Sequence, residues 1–381
     1  MVRLKSFLIN SALIVVSLLC AYLILEFAFF RLYLPTMPLR LRPQLPAAAD
    51  ILTQNSKAGF VPHDYVALLG DSYAEGVGDW LWQTGGNRAK PFHSANVIHE
   101  LTGRDVISFG KGGAGSAEGI VERPAKAFLG SFCYLFPLVE PPKQIFIYYY
   151  EGNDVEDNLH FENKVRSRYG QVDARTIDRY LTEQYAARHP WDCHLELADM
   201  TSRMAKFLYE YYVSGLDLFT CSAITGPSDF NHLMVGGRTV SAPVLQGPAL
   251  NIGDDSIRSA MLVLDRSLSW LRHRFPNVPT TVVYIPSPLS LYHFAGEQVS
   301  YCTVPASASS AAKVERNSDF ISGLVQQSAA SQGIDFIDPR LSLRALAATT
   351  VIHGPKDWDH FNETGYRALG ALVAAHVIAR H

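Results

Sequence analysis

The chain has 381 residues, 48% of them hydrophobic, and a formal net charge of -3. That length accommodates one large α/β domain or two modest ones beside a targeting segment, and the apolar content excludes a disordered or fibrous chain. There is no global basic field to draw a nucleic acid, so no nucleic-acid partner is expected.

From Phe7 to Phe30 only Asn10, Ser11, Ser17, Tyr22 and Glu26 interrupt an apolar run. The run suits a transmembrane helix, which needs roughly 20 apolar residues, and outlasts the apolar core of about 7 to 15 residues found in cleaved signal peptides. Arg31 and bulky side chains follow where a cleavage site would need small residues, and Leu19 before Cys20 does not suit lipoprotein processing. Residues 1–31 are therefore expected to form an uncleaved anchor that makes the membrane a partner. Arg3 and Lys5 precede the span while Arg31, Arg40 and Arg42 follow it, so the flanking charges leave its orientation open. Closely spaced Pro35, Pro38, Pro43 and Pro46 predict an extended, stalk-like spacer over residues 32–60.

The folded domain is expected over 61–381. Tyr65 to Leu69 is a short apolar run closed by Gly70, as befits a buried parallel strand. Further strands are expected at Val106 to Phe109, Gln144 to Tyr150, Thr280 to Ile285 and Ile334 to Ile337, with helices near Ser94 to Leu101, Ser256 to Phe275 and Asp319 to Ala330. Strands alternating with helices predict an α/β fold, three layers deep, with helices on both faces of a mostly parallel five-stranded sheet. The segment 158–255 breaks this rhythm. It is far longer than the usual connection of about 2 to 6 residues and reads as an insertion, helical over Ile177 to Ala187 and Ala198 to Val213. Outside the anchor lie Cys133, Cys193, Cys221 and Cys302, which would form two disulfides in an oxidising compartment or remain four buried thiols. No CxxC spacing occurs, and adjacent Cys193 and His194 do not make a zinc pair, so no metal is expected.

Four segments carry chemistry. In Gly70-Asp71-Ser72 a strand ends in a tight turn that delivers a serine to the carboxyl edge of the sheet, where ligands of open α/β sheets bind. Ser72 would open a helix whose unpaired N–H groups can face an oxyanion; an ordinary capped turn would read the same way. After the second strand, Gly110, Gly112, Gly113 and Gly115 let backbone amides approach a ligand. Gly110, Gly112 and Gly115 spell GxGxxG literally, but not on the first βα unit and without an acidic residue ending the next strand, so no cofactor is expected. After the third strand, Asn153 offers a side-chain amide, or simply an Asn-Asp turn. Before the last helix, Asp357 stands three residues ahead of His360, where a carboxylate can orient an imidazole and stabilise its charged form.

These four segments, in this order, resemble the blocks of the SGNH (GDSL esterase and lipase) hydrolases. The resemblance covers about Tyr65 to His381 apart from the insertion. It implies a flavodoxin-like fold and catalytic residues Ser72, His360 and Asp357, with an oxyanion hole of Ser72, Gly113 and Asn153; Gly110 is the second choice for the block glycine. One departure is Glu151, which stands where the family's third block has glycine; facing the site, it would disfavour anionic substrates. The implied activity is ester hydrolysis, with an acylated carbohydrate as the expected partner. An O-acyltransferase on an exported polysaccharide, a lipase or thioesterase, and a non-catalytic carbohydrate-binding scaffold are the alternatives. With the anchor, and disulfides if the cysteines form them, the domain is expected in the periplasm or another extracytoplasmic space.

Overall fold

The computed structural model describes residues 2–28, 45, 47–78, 92–130, 139–186, 205–206, 209, 231–303 and 306–379. Helix α1 (Val2–Phe27) contains the one stretch among the described residues that is long and apolar enough to cross a membrane, Ser6–Leu25, with mean hydropathy 2.5 and no part of it buried. A signal sequence would pass the same test.

In the domain, β1 (Val66–Gly70) leads through the short helix α3 (Ser72–Glu75), which follows α2 (Ala47–Thr53) in the chain, to α4 (Ser94–Thr102). Next come β2 (Val106–Ser108), α5 (Arg123–Gly130), β3 (Gln144–Tyr150), α6 (Asp154–Tyr169) and α7 (Ala174–Leu181). A hairpin of β4 (Asn231–Val235) and β5 (Arg238–Ala242) precedes α8 (Asp254–Arg274) and β6 (Thr280–Ile285). The chain then runs through α9 (Pro288–Leu291), β7 (His293–Phe294), β8 (Gln298–Tyr301) and β9 (Ser307–Ser310). It ends with α10 (Ala311–Ser331), β10 (Asp335–Ile337), α11 (Arg340–Ala347) and α12 (Glu363–Ala379).

The main sheet is five-stranded and parallel, in the order β10-β6-β3-β1-β2. Counting only its own strands in chain order and reading from the β2 edge, that is 2-1-3-4-5, the flavodoxin-like arrangement. Strand periodicity of two splits each strand between two cores. Tyr65, Ala67, Leu69, Ile145, Ile147 and Tyr149 pack with α6, α7 and α8. Val66, Leu68, Phe146, Tyr148 and Tyr150 pack on the opposite face with α4 and α12. Both faces being covered, β1, β3 and β6 are continuous runs of buried residues, which is why they stand out in the sequence. β4 pairs with β5 and β7 in a separate antiparallel sheet, and β8 pairs with β9.

Two expected boundaries change. The spacer does not extend to residue 60: Ile51, Leu52 and Gln54 are buried, the Gln54 side-chain amide donates to Ser108 O at 2.7 Å, and Ser108 N–H donates back to Gln54 Oε1 at 2.8 Å. Residues 32–44 and 46 of that spacer lie outside the described residues. Nor does the segment from 158 begin as a separate cap, because Asn158 lies within α6 and Phe161, Val165, Ile177 and Leu181 belong to the core beneath the sheet. The expected helix over Ala198 to Val213 lies almost wholly outside the described residues. Cys302 is disulfide-bonded; Cys133, Cys193 and Cys221 also lie outside them.

Candidate active site

The order of the sheet reverses direction between β1 and β3, which makes a crevice at their carboxyl ends, the usual ligand site of such sheets. Ser72 follows β1 there and Asn153 follows β3. Gly70 makes the turn possible: its φ is +133°, and a Cβ at that position would lie 2.4 Å from the Tyr148 carbonyl oxygen. Asp71 then caps α3, its Oδ1 accepting from Tyr73 N–H at 2.9 Å.

His360 arrives from the loop before α12. Its Nε2 lies 2.8 Å from Ser72 Oγ, and its Nδ1 lies 2.8 Å from Asp357 Oδ2. Asp357 Oδ1 accepts the backbone N–H groups of Asp359 at 3.0 Å and His360 at 3.2 Å, so the carboxylate is fixed at both oxygens. Serine, histidine and aspartate thus form one hydrogen-bonded chain spanning 288 residues of sequence. Tyr73, which the sequence did not single out, clamps this loop from below. Its hydroxyl donates to Asp359 O at 2.8 Å, and its ring centroid lies 5.3 Å from that of His360.

Burial disfavours charge on His360, but the carboxylates of Asp357, Asp359 and Asp71, with the Asp357 hydrogen bond, outweigh it and raise the imidazole to about 9. Burial would likewise raise Asp357, but the charge and hydrogen bonds of His360 hold it below the usual carboxylate range. Asp71 is pushed up to about 6 by burial, against the Tyr73 N–H bond, the His360 charge and the Ser72 bond. Its Oδ2 lies 3.3 Å from Ser72 Oγ, so it competes with His360 for the serine proton.

The glycine loop is pinned to both neighbours. Lys111 N–H donates to Gly70 O at 3.2 Å, and Asn158 Oδ1 accepts Ser116 N–H at 2.9 Å. Gly112 N–H is committed to Glu75 Oε2 at 2.6 Å. Gly113 is exposed, has a φ of +68°, and its N–H makes no hydrogen bond among the described residues. Gly110 instead packs against the backbone of α3, where a Cβ would lie 2.2 Å from Glu75 N. Asn153 sits at the N-cap of α6 without a capping bond, and its buried Oδ1 has no partner among the described residues.

Glu151 does not face this crevice. It is fully buried and turns to the opposite core, accepting from the Tyr284 hydroxyl, from Ser287 N–H at 2.8 Å and Ser287 Oγ at 2.7 Å, and from Ser318 Oγ at 2.7 Å. The reason is parity: Glu151 continues the alternation of β3 onto the Tyr149 side.

No known family profile matches the chain, and no curated protein matches it. Among solved structures, an extracellular lipase from Streptomyces rimosus is 15% identical over 82% of this chain and 98% of its own, with a TM-score of 0.40. Phospholipase A1 from Streptomyces albidoflavus is 15% identical over 82% and 98%, with a TM-score of 0.37. The aryl esterase of M. smegmatis is 13% identical over 83% and 98%, with a TM-score of 0.28. At such distances these likenesses carry no assignment, which rests on the side-chain geometry.

Proposed function

We propose that this chain is a serine ester hydrolase of the SGNH type. The observation that carries the reading is the unbroken chain from Ser72 Oγ through His360 to Asp357, with 2.8 Å at each side-chain contact. Neutral His360 takes the Ser72 proton as Oγ attacks an ester carbonyl, and Asp357 holds the tautomer and stabilises the imidazolium that forms. The oxyanion meets the N–H groups of Ser72 and Gly113 and the Asn153 amide. His360 then protonates the departing alcohol, and water, activated in the same way, releases the acyl group.

The substrate in this reading is an O-acyl ester of a carbohydrate, with O-acetyl first. Helix α1 holds the enzyme at a membrane, and the disulfide at Cys302 supports an extracytoplasmic domain, since such bonds persist in oxidising compartments. A fluorophosphonate probe tests the nucleophile: the detergent-solubilised full chain becomes labelled, and Ser72→Ala does not. Labelling that survives the substitution overturns the assignment. Acetate released into solution, as against acetyl found on an added glycan, separates hydrolysis from transfer.

A further inference from the structure

The face of α6 that follows its N-cap Asn153 forms the wall of a cavity that the hydrolytic steps above touch only at Gly113. Asn153, Asp157, His160, Phe161 and Lys164 recur at helical spacing and so share one side of the helix. The last four of them, with Gly113 and Gly115 of the facing loop and Glu118 of the π-helical turn that follows it, line a cavity of about 350 Å³. That is within the range of small-molecule sites, roughly 300 to 1,000 Å³. Gly113 belongs to both places, so the cavity opens beside the position where an ester carbonyl would sit.

Its chemistry is specific. Asp157 Oδ2 is buried and has no hydrogen-bond partner among the described residues, an arrangement that native proteins tolerate mainly where a ligand or water completes it. Burial first, then the charges of Asp71, Glu118 and Glu156, push this carboxyl up to about 7, with Lys164 drawing it down. Near neutrality it can both accept from and donate to a hydroxyl. The ammonium of Lys164 is paired with Glu118 at 2.9 Å, which offsets the one lysine among the described lining residues. Its charged walls do not suit a long acyl chain. Phe161, otherwise packed in the core, contributes only the small part of its ring that reaches the lining.

We infer that this cavity is the subsite for the alcohol half of the ester, a sugar ring whose hydroxyls bond to the Asp157 carboxyl. The inference rests on Ser72 being an ester-hydrolysing nucleophile. Asp157 is then a specificity-determining residue and takes no part in the proton transfers at Ser72.

Selectivity tests it in the full chain, as the ratio of kcat/KM for an O-acetylated methyl glucoside to that for p-nitrophenyl acetate. Loss of hydrogen bonds to a charged group should lower this ratio about tenfold in Asp157→Leu, mainly through KM for the sugar ester. Asp157→Asn should restore most of it, and His160→Ala at the exposed rim should lower it less. A ratio indifferent to Asp157→Leu overturns the subsite. A turnover-free arm separates this from failure of the hydrolase reading: methyl glucoside should bind the Ser72→Ala chain by saturation-transfer NMR and lose that binding when Asp157→Leu is added. Absence of sugar binding, or binding that ignores Asp157, overturns the subsite even if neither ester is hydrolysed; binding that needs Asp157 in a chain without esterase activity leaves the subsite and removes the hydrolase.

Discussion

Two groups of buried polar side chains flank the carboxyl edge of the sheet, and they differ in how fully they are satisfied. Glu151 receives hydrogen bonds from three residues, and Asp357 accepts at both oxygens. On α6, Asn153 Oδ1, Asp154 Oδ1 and Asp157 Oδ2 are all buried without a hydrogen-bond partner among the described residues. Burial and the neighbouring charges of Asp71 and Asp157 also hold Asp154 well above the usual carboxylate range. A buried polar atom without a partner costs about 1 to 3 kcal/mol, so the α6 side carries a cost that the Glu151 side does not. Glu151 ties the frame together and Asp357 holds His360, whereas Asp157 of the unsatisfied set lines the cavity where substrate is proposed to bind.

The largest effect is expected from breaking the saturated side at Asp357. Asp357→Asn keeps the shape but loses the charge and favours the wrong imidazole tautomer, so kcat should fall on the order of 10,000-fold near neutral pH. The pH profile sharpens the point. With His360 raised to about 9, wild-type kcat/KM should climb with pH up to about that value, because only the neutral imidazole accepts the serine proton. In the variant the midpoint should move towards the ordinary histidine range. An unshifted midpoint would separate Asp357 from His360 altogether.

On the unsatisfied side, Asn153→Ala removes a proposed oxyanion donor and should lower kcat by about 100- to 1,000-fold. Thermal unfolding should barely change, since no hydrogen bond holding the fold is lost with that side chain. Steady-state kinetics and a melting curve on the same preparation check both halves. Wild-type turnover would take Asn153 out of the oxyanion hole.

Glu151→Gly reverses that pattern. It strips the Tyr284 hydroxyl, Ser287 and Ser318 of a common acceptor, and leaving buried donors unpaired should cost about 2 to 4 kcal/mol of stability. Urea unfolding should register the loss, while the preference between charged and neutral esters stays put. A changed preference with unchanged stability would mean that Glu151 faces substrate after all.

The framework was legible because strands buried on both faces write themselves as apolar runs; Gln144–Tyr150 and Thr280–Ile285 fall where the sequence predicts them. That Ser72 would meet Asp357 and His360 was legible because the proposed chemistry needs particular residue types, a serine just beyond a strand end and a histidine three residues after a carboxylate. Helix α2 was hidden among prolines, since what holds it, Ile51 and Leu52 in the core and Gln54 paired with Ser108, is wholly tertiary. The direction of Glu151 was available from strand parity alone. Asp157 was not, because a charge on a polar helix looks solvated until the partner loop, with Gly115 tight against it, is known. A Cβ on that glycine would lie 2.8 Å from Asp157 Cβ.

The smallest expected effect is at His353, beneath the triad, which is fully buried with Nδ1 3.0 Å from the Tyr292 hydroxyl and its ring centroid 4.8 Å from that of Phe361. Burial lowers it to about 3; the charge of His360 adds to this and that of Asp357 opposes it. In the unfolded chain it titrates near the ordinary histidine value of about 6.5. Between those two values the unfolded state binds the extra proton, so stability is full above about pH 6.5 and is lost as pH falls towards 3. His360 has the opposite sign, because its raised value adds stability that is complete below about pH 6.5 and lost as pH rises through about 9. From pH 7 to pH 5 the His353 contribution falls by about 2 kcal/mol. His353→Phe keeps an aromatic ring against Phe361 and removes that proton, so the stability drop between pH 7 and pH 5 should shrink by about that amount relative to wild type. Urea unfolding of both chains at the two pH values isolates it, because every other titrating group enters both differences alike. An identical drop in both chains would mean that His353 takes up its proton as readily in the folded protein as in the unfolded chain, and that its surroundings are wetter than the packing implies.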